Sequence, residues 1–364
     1  MKFSSAHILG LTVSVGVLVS ATTSTMAQIP FYKGKRITML INFAVGGGAD
    51  IEGRLFAKYL AKHLEGQPTI VVLNMEGAGG LVGANFLGEV APKDGTYIGY
   101  LSSAAGLHLT EAERWRADLR TYEFAAYVPG TAVVYVRTDV SPGIKEAKDL
   151  AQARGLILGG RSANSPNDIG ARLALDILDM RYGYVTGYRS AATGRLALQR
   201  GEINVFSESP SGYRSAVEPQ LVKTGQVVPL WYHLNDTSDL PPPRKEISGL
   251  DIASFPQLHK RIKGTLPAGK LWDVYQALFN VNWNLQRVLA LPPGAPRAAL
   301  EALQSALVAV SKDRNFEAEA LKTIDFAPDL IATANSKEHV RAMLNVSPEI
   351  KQFINEYIKS APER

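Results

Sequence analysis

The chain has 364 residues, 46% of them apolar and 20% charged, with no cysteine and a formal net charge of +5. This composition supports one or two packed cores and excludes a disordered chain. Without cysteine there is no disulfide, thiolate metal site or thiol nucleophile. The modest basic excess favours anionic partners, but Lys and Arg are dispersed and form no stripe interleaved with aromatics, so nucleic acid is not among them.

The first segment reads as a secretory signal peptide over residues 1–27. Lys2 gives the positive start, residues 8–19 form a short apolar run, and Thr25-Met26-Ala27 is a small-x-small site ahead of Gln28. That run is too short to span a bilayer. The alternative reading is a retained anchor, and no Cys follows the run to carry a lipid. Removing Lys2 leaves +4 (5 − 1) on the mature chain. Beyond Ala27 no run of 18 apolar residues occurs, so the expected place is the periplasm.

From residue 36 to 101 the pattern alternates strand and helix. Residues 37–43 form an apolar run like a strand buried on both faces. Residues 50–64 carry Ile51, Leu55, Tyr59 and Leu60 at helical spacing, with Glu52, Lys58 and Lys62 off that face. A second strand at 69–73, a helix at 81–91 with Val82, Phe86 and Val90 inward, and a third strand at 97–101 follow. Alternation of this kind predicts a parallel sheet with crossover helices. Strands at 133–136, 155–158, 203–206 and 227–232, with helices at 168–178 and around 195–200, form a second unit. Pro241-Pro242-Pro243 interrupts regular structure. A helix at 298–312 begins behind a Pro-rich turn, and shorter helices start at Lys337 and Pro348. The predicted domains are lobe one from 28–128 with 233–364, and lobe two from 129–232, joined by a two-segment hinge.

The turns after the first three strands hold the candidate chemistry. They are Ala44-Val45-Gly46-Gly47-Gly48-Ala49-Asp50, Asn74-Met75-Glu76-Gly77-Ala78-Gly79-Gly80 and Ser102-Ser103-Ala104-Ala105-Gly106. In a parallel sheet they share the carboxyl edge, where open α/β sheets bind ligands. Two helix N-termini with unpaired N–H groups aimed at one spot would hold an anion. A tight connection is the plainer reading of any one glycine turn. Asp50 reads equally as a helix-start residue or a ligand contact. In the second unit, Gly159-Gly160-Arg161-Ser162-Ala163-Asn164-Ser165 offers hydroxyls, an amide and a guanidinium to a carboxylate. Tyr188 and Ser207 end further strand-like segments that face the same crevice. The chain lacks a P-loop, a dinucleotide fingerprint and a G-x-S-x-G turn, and none of its six histidines makes a helical metal pair.

Residues 35–50, from Lys35-Arg36-Ile37 to Gly46-Gly47-Gly48-Ala49-Asp50, are similar to the opening motif of the tripartite tricarboxylate transporter solute receptors, the Bordetella uptake gene family. Asn74 with Gly77-Ala78-Gly79-Gly80 and Gly83-Ala84 resembles the second motif of that family. Ala91-Pro92-Lys93-Asp94-Gly95-Thr96-Tyr97 and Leu291-Pro292-Pro293-Gly294-Ala295-Pro296 resemble its later turns.

The resemblance implies an α/β Venus-flytrap fold, a two-lobed periplasmic binding protein in which each lobe is a mixed, mainly parallel sheet flanked by helices. It implies a small carboxylate ligand passed to membrane permease subunits, with no enzyme activity, cofactor or metal, in a monomer. The alternative role is a ligand-presenting co-receptor for a membrane sensor kinase. Family contacts map to Phe43, Ala44, Gly46, Gly47, Gly48, Ala78, Gly79, Gly80, Ser102 and Ser103, and to the loop from Gly160 to Asn164. The chain departs from the family mostly in lobe two. Val45 replaces a Pro, the loop at 159–168 has no His, Gly187-Tyr188-Arg189-Ser190 replaces a Pro-Tyr-basic-Gly pattern, and Ser207 stands for an Asp. Arg161 is the candidate partner of a second ligand carboxylate.

Overall fold

The computed structural model describes residue 1 and residues 30–238 and 244–361. The segment expected to be a signal peptide, apart from residue 1, and the proline run at 241–243 lie outside the described residues.

Among the described residues, ten strands form two five-stranded sheets. The first contains β1 (Arg36–Ile41), β2 (Thr69–Asn74), β3 (Tyr97–Ser102), β4 (Glu123–Val128) and β10 (Arg287–Leu291), in the order β2-β1-β3-β10-β4. The second contains β5 (Val133–Arg137), β6 (Leu156–Gly159), β7 (Tyr182–Val185), β8 (Val205–Glu208) and β9 (Val227–Tyr232), in the order β7-β6-β8-β5-β9. In each sheet four strands run one way and one is reversed, β10 in the first and β5 in the second. Each sheet is therefore mixed but mainly parallel, and helices flank both.

The helices are α1 (Gly48–His63), α2 (Leu81–Glu89), α3 (Ala104–Thr110), α4 (Pro166–Ile177), α5 (Ala191–Gln199), α6 (Pro210–Gly212, continued by a π-helix to Val222), α7 (Phe255–Lys263), α8 (Lys270–Asn282), α9 (Arg297–Ser311), α10 (Arg314–Ile324), α11 (Ser336–Met343) and α12 (Pro348–Lys359). The buried face of α1 includes Leu55, Phe56, Tyr59 and Leu60, as helical spacing requires, but also Glu52. In α2 the expected face is inverted. Gly83, Ala84, Leu87 and Gly88 are buried while Val82 and Val90 are exposed. Small residues win this face because the sheet lies too close for larger ones: a Cβ on Gly83 would stand 2.7 Å from the Met75 carbonyl oxygen.

The chain passes from the first sheet to the second at 129–132 and returns over 233–286. These segments are laced together: His233 N donates to Ala132 O at 3.0 Å and Gly130 N to Trp283 O at 2.8 Å. Thr131 Oγ1 donates to His233 O at 2.6 Å. The return segment does not rest on the first sheet alone. α7 packs on β9 and on a short turn of helix at Ala147–Gln152, while α8 packs on α3 and α4. α12 also ties the units: it packs on α3, and Arg172 Nη2 of α4 donates to Tyr357 O at 3.0 Å.

Candidate ligand-binding cleft

Asn42, one residue beyond β1 and wholly buried, organises the first sheet's carboxyl edge. Its Nδ2 donates to Gly80 O at 3.1 Å and Ser102 O at 3.0 Å, and its Oδ1 accepts from Ser102 N at 2.8 Å. One side-chain amide thus fastens β1, β3 and the turn before α2. Gly80 makes room for it at φ 109°, where a Cβ would lie 2.5 Å from Asn42 Nδ2. The preceding Gly77, Ala78 and Gly79 also have positive φ, so this turn is left-handed throughout.

Asp50 fastens the first turn. Its Oδ2 accepts from Gly46 N at 2.9 Å, and its Oδ1 accepts from Arg54 Nε and Asn74 Nδ2, each at 2.9 Å. Asn74 Nδ2 also donates to Phe43 O at 2.9 Å. Burial pushes the Asp50 carboxyl up, but Arg54, the Gly46 N–H and Asn74 together hold it below the usual carboxylate range. Both oxygens bond within or beside the turn, so Asp50 fastens it in this structure. Gly46 N–H is likewise spent. Among the described residues, the N–H groups of Gly48 and Ala49, which start α1, have no protein acceptor, nor do those of Ala78 and Gly79 in the turn before α2. Gly46, Gly47, Ala78 and Gly79 are exposed. Ser103 caps α3 at φ 55°, with its N–H taken by Gln286 O at 3.0 Å.

The second unit repeats the device. Asp168 Oδ2 accepts from Arg161 N at 2.6 Å, Ser162 N at 3.2 Å and Tyr184 OH at 3.0 Å, and its Oδ1 accepts from Ser165 Oγ at 3.0 Å. Burial still pushes this carboxyl up. The loop is flanked by 185–188, where Gly160 N bonds Val185 O at 2.9 Å and Tyr188 N bonds Gly160 O at 3.2 Å. Ser162 is exposed, and the Asn164 carbonyl accepts from Thr110 Oγ1 of the first unit at 2.8 Å. Ser207 lies on β8 opposite Val134, its Oγ buried without a partner, while Glu208 next to it takes the other face.

The two units meet across these turns. The Arg161 guanidinium lies 5.1 Å from the Phe43 ring centre, and no side-chain hydrogen bond or ion pair holds it among the described residues. A Cβ on Gly48 would stand 2.3 Å from Ser211 Oγ, and Ser211 Oγ donates to Glu52 Oε1 at 2.8 Å. The cleft is therefore closed.

Residues that the sequence did not single out line it. Arg287 Nη1 donates to Ser102 Oγ at 2.9 Å, and Arg287 Nε lies 3.1 Å from Glu52 Oε2, close enough for an ion pair but without hydrogen-bond geometry. Tyr100 OH donates to Glu52 Oε2 at 3.0 Å. Glu208 accepts from Tyr135 OH at 2.8 Å and Arg195 Nη1 at 2.5 Å; burial pushes its carboxyl up to about 7 against the pull of Arg195. Burial lowers the Arg161 pKa, Asp168 and Glu208 raise it, and Arg287 lowers it further. By spacing Glu52 falls off the apolar face of α1, and no sequence signal marks 287–291 as a strand. Among the described residues no three His, Cys, Asp or Glu side chains gather to hold a metal, and no helix is long and apolar enough to cross a membrane.

No protein-family model and no curated protein matches the chain. Solved structures do match. A Rhodopseudomonas palustris protein with adipate aligns over 90% of this chain and 99% of its own, at 16% identity and a TM-score of 0.66. MatC from Rhodopseudomonas palustris with bound malate aligns over 89% and 99%, at 15% identity and 0.61. The periplasmic binding protein BugD aligns over 92% and 100%, at 18% identity and 0.60. The chain therefore has the two-lobed α/β fold of periplasmic solute-binding proteins. The resemblance read from its Gly-rich turns points to the same fold.

Proposed function

We propose that the protein is an exported solute-binding protein that captures a small organic carboxylate in the inter-lobe cleft and delivers it unchanged to a membrane permease of the tripartite tricarboxylate type. The lobes are residues 28–128 with 233–364, and 129–232, and the receptor acts as a monomer. The observation that carries this reading is Arg161, a second-lobe guanidinium set over Phe43 of the first lobe with no acidic partner bonded to its side chain. On the first lobe, the free N–H groups of Gly48 and Ala49 start α1 and those of Ala78 and Gly79 lie in the turn before α2, a setting for an anion. Adipate and malate in two structures of this fold support the ligand class. Two carboxylates suit the site: one for the first-lobe turns, the other for Arg161.

Thermal unfolding with adipate, malate and benzoate tests the proposal. A ligand at a hundred times its dissociation constant adds about 2.7 kcal/mol of stability, and Arg161→Ala should cut the preference for di- over monocarboxylates about tenfold, as the loss of one charged contact does. No stabilisation by any carboxylate, or chemical turnover of the bound one, would sink the reading.

A further inference from the structure

We infer that Arg287, held by Glu52, is a positioning residue that makes the Ser102 hydroxyl a donor toward the ligand, and so sets the cleft for a carboxylate oxygen rather than an amide. This rests on the carboxylate-binding reading above. Ser102 ends β3, and its backbone is fully used: its N–H goes to Asn42 Oδ1 and its carbonyl accepts from Asn42 Nδ2. Only the hydroxyl is left. Its oxygen accepts from Arg287 Nη1 at 2.9 Å, and a hydroxyl that accepts from a guanidinium has its own hydrogen to give. Among the described residues, no protein group takes that hydrogen.

The guanidinium is fixed on every side. Arg287 stands directly opposite Ser102 in the antiparallel pair of β10 and β3, so their side chains share a face. Its Nη1 also donates to Gln286 O at 3.2 Å, and Glu52 takes its other side, with Nη2 at 3.4 Å from Oε1. Glu52 is held in turn by Tyr100 and, across the cleft, by Ser211. Arg287 is 3% exposed, Glu52 4% and Ser102 5%, so little water screens these contacts. Glu52 and Arg287 cancel in charge. They supply direction to a hydroxyl, while Arg161 supplies net positive charge.

Isothermal titration of the full chain with adipate and with its half-amide tests this. Wild type should prefer adipate at least tenfold. Arg287→Met frees the hydroxyl to accept as well as donate, and should erase most of that preference; Ser102→Ala should erase it equally, and the double variant no further. A residue that merely supported the fold would weaken both ligands together and leave the ratio intact, so an unchanged ratio, or independent losses in the double variant, overturns the inference. Should Arg287→Met fail to fold, Ser102→Thr, which keeps the hydroxyl, must retain the preference that Ser102→Ala loses. Wild type that binds neither ligand overturns the carboxylate reading and this inference with it, a result distinct from binding with an unchanged ratio.

Discussion

Asp50 and Asp168 occupy the same position in the two lobes, the third residue of the helix that follows a cleft turn, and each folds its carboxylate back onto that turn. Their surroundings differ. Asp50 bonds Arg54 and is held below the usual range, while burial pushes Asp168 up. Asp50 therefore contributes stability that is full above the unfolded carboxylate pKa of about 4 and lost as pH falls below it; the contribution of Asp168 is present below about 4 and lost as pH rises. At pH 7, Asp50→Asn should cost about 2 kcal/mol, the worth of a charged hydrogen bond, and more than Asp168→Asn. Urea unfolding of both variants checks the order, and the gap should narrow toward pH 4.

His233 titrates against the fold. It is buried where the chain leaves the second sheet, stacked on Trp283 at 4.2 Å with Nδ1 2.9 Å from Tyr275 OH, and burial lowers its pKa to about 3. The unfolded chain takes up this proton near pH 6.5, so stability is full above that value and falls toward pH 3. Between pH 6.5 and 5 the group alone costs about 2 kcal/mol. His233→Phe should show a shallower loss over this interval in urea titrations; a parallel loss would contradict the burial argument.

Closure depends on an absent side chain. Gly48 faces Ser209 and Ser211 of the other lobe, with Cβ distances of 2.9 and 2.3 Å to their hydroxyl oxygens. Gly48→Val should prop the cleft open and weaken carboxylate binding at least tenfold, about 1.4 kcal/mol. Unfolding of the ligand-free protein should change by less than about 1 kcal/mol, because the clash lies between lobes. Equal affinity in the variant would show that closure does not need this contact.

Asn42 carries three bonds that no neighbour can replace. Asn42→Ala leaves the buried Ser102 N–H and Ser102 carbonyl without their side-chain partner and should cost about 3 kcal/mol. Asn42→Asp should not rescue it, since a carboxylate cannot donate to Gly80 O and Ser102 O. Thermal melts of the two variants decide.

Much of the fold was legible because its signals are local. The strand at 227–232 coincides with β9, and the Gly-rich turns lie where strand and helix alternation placed them. β4 and β10 escaped notice because their partners are distant in sequence, and β10 is buried on both faces without a glycine turn to mark its start. The same gap hid Arg287. In the site, Phe43 and Arg161 could be named from their turns, but Asn42 reads as one polar residue in an apolar run, and Glu52 looks solvated until β10 brings its arginine. The inverted face of α2 shows that periodicity alone misleads where small residues let a helix press against a sheet.

The place of β10 between β3 and β4 bears on how the chain comes to be folded at all. β4 has no strand neighbour in its sheet except β10, which is made only after the whole second sheet. A nascent chain thus cannot finish its first lobe until most of it has been synthesised, and contacts so far apart in sequence form slowly. The strand order that builds the cleft thereby also makes completion of the first sheet one of the last events in the life of the growing chain.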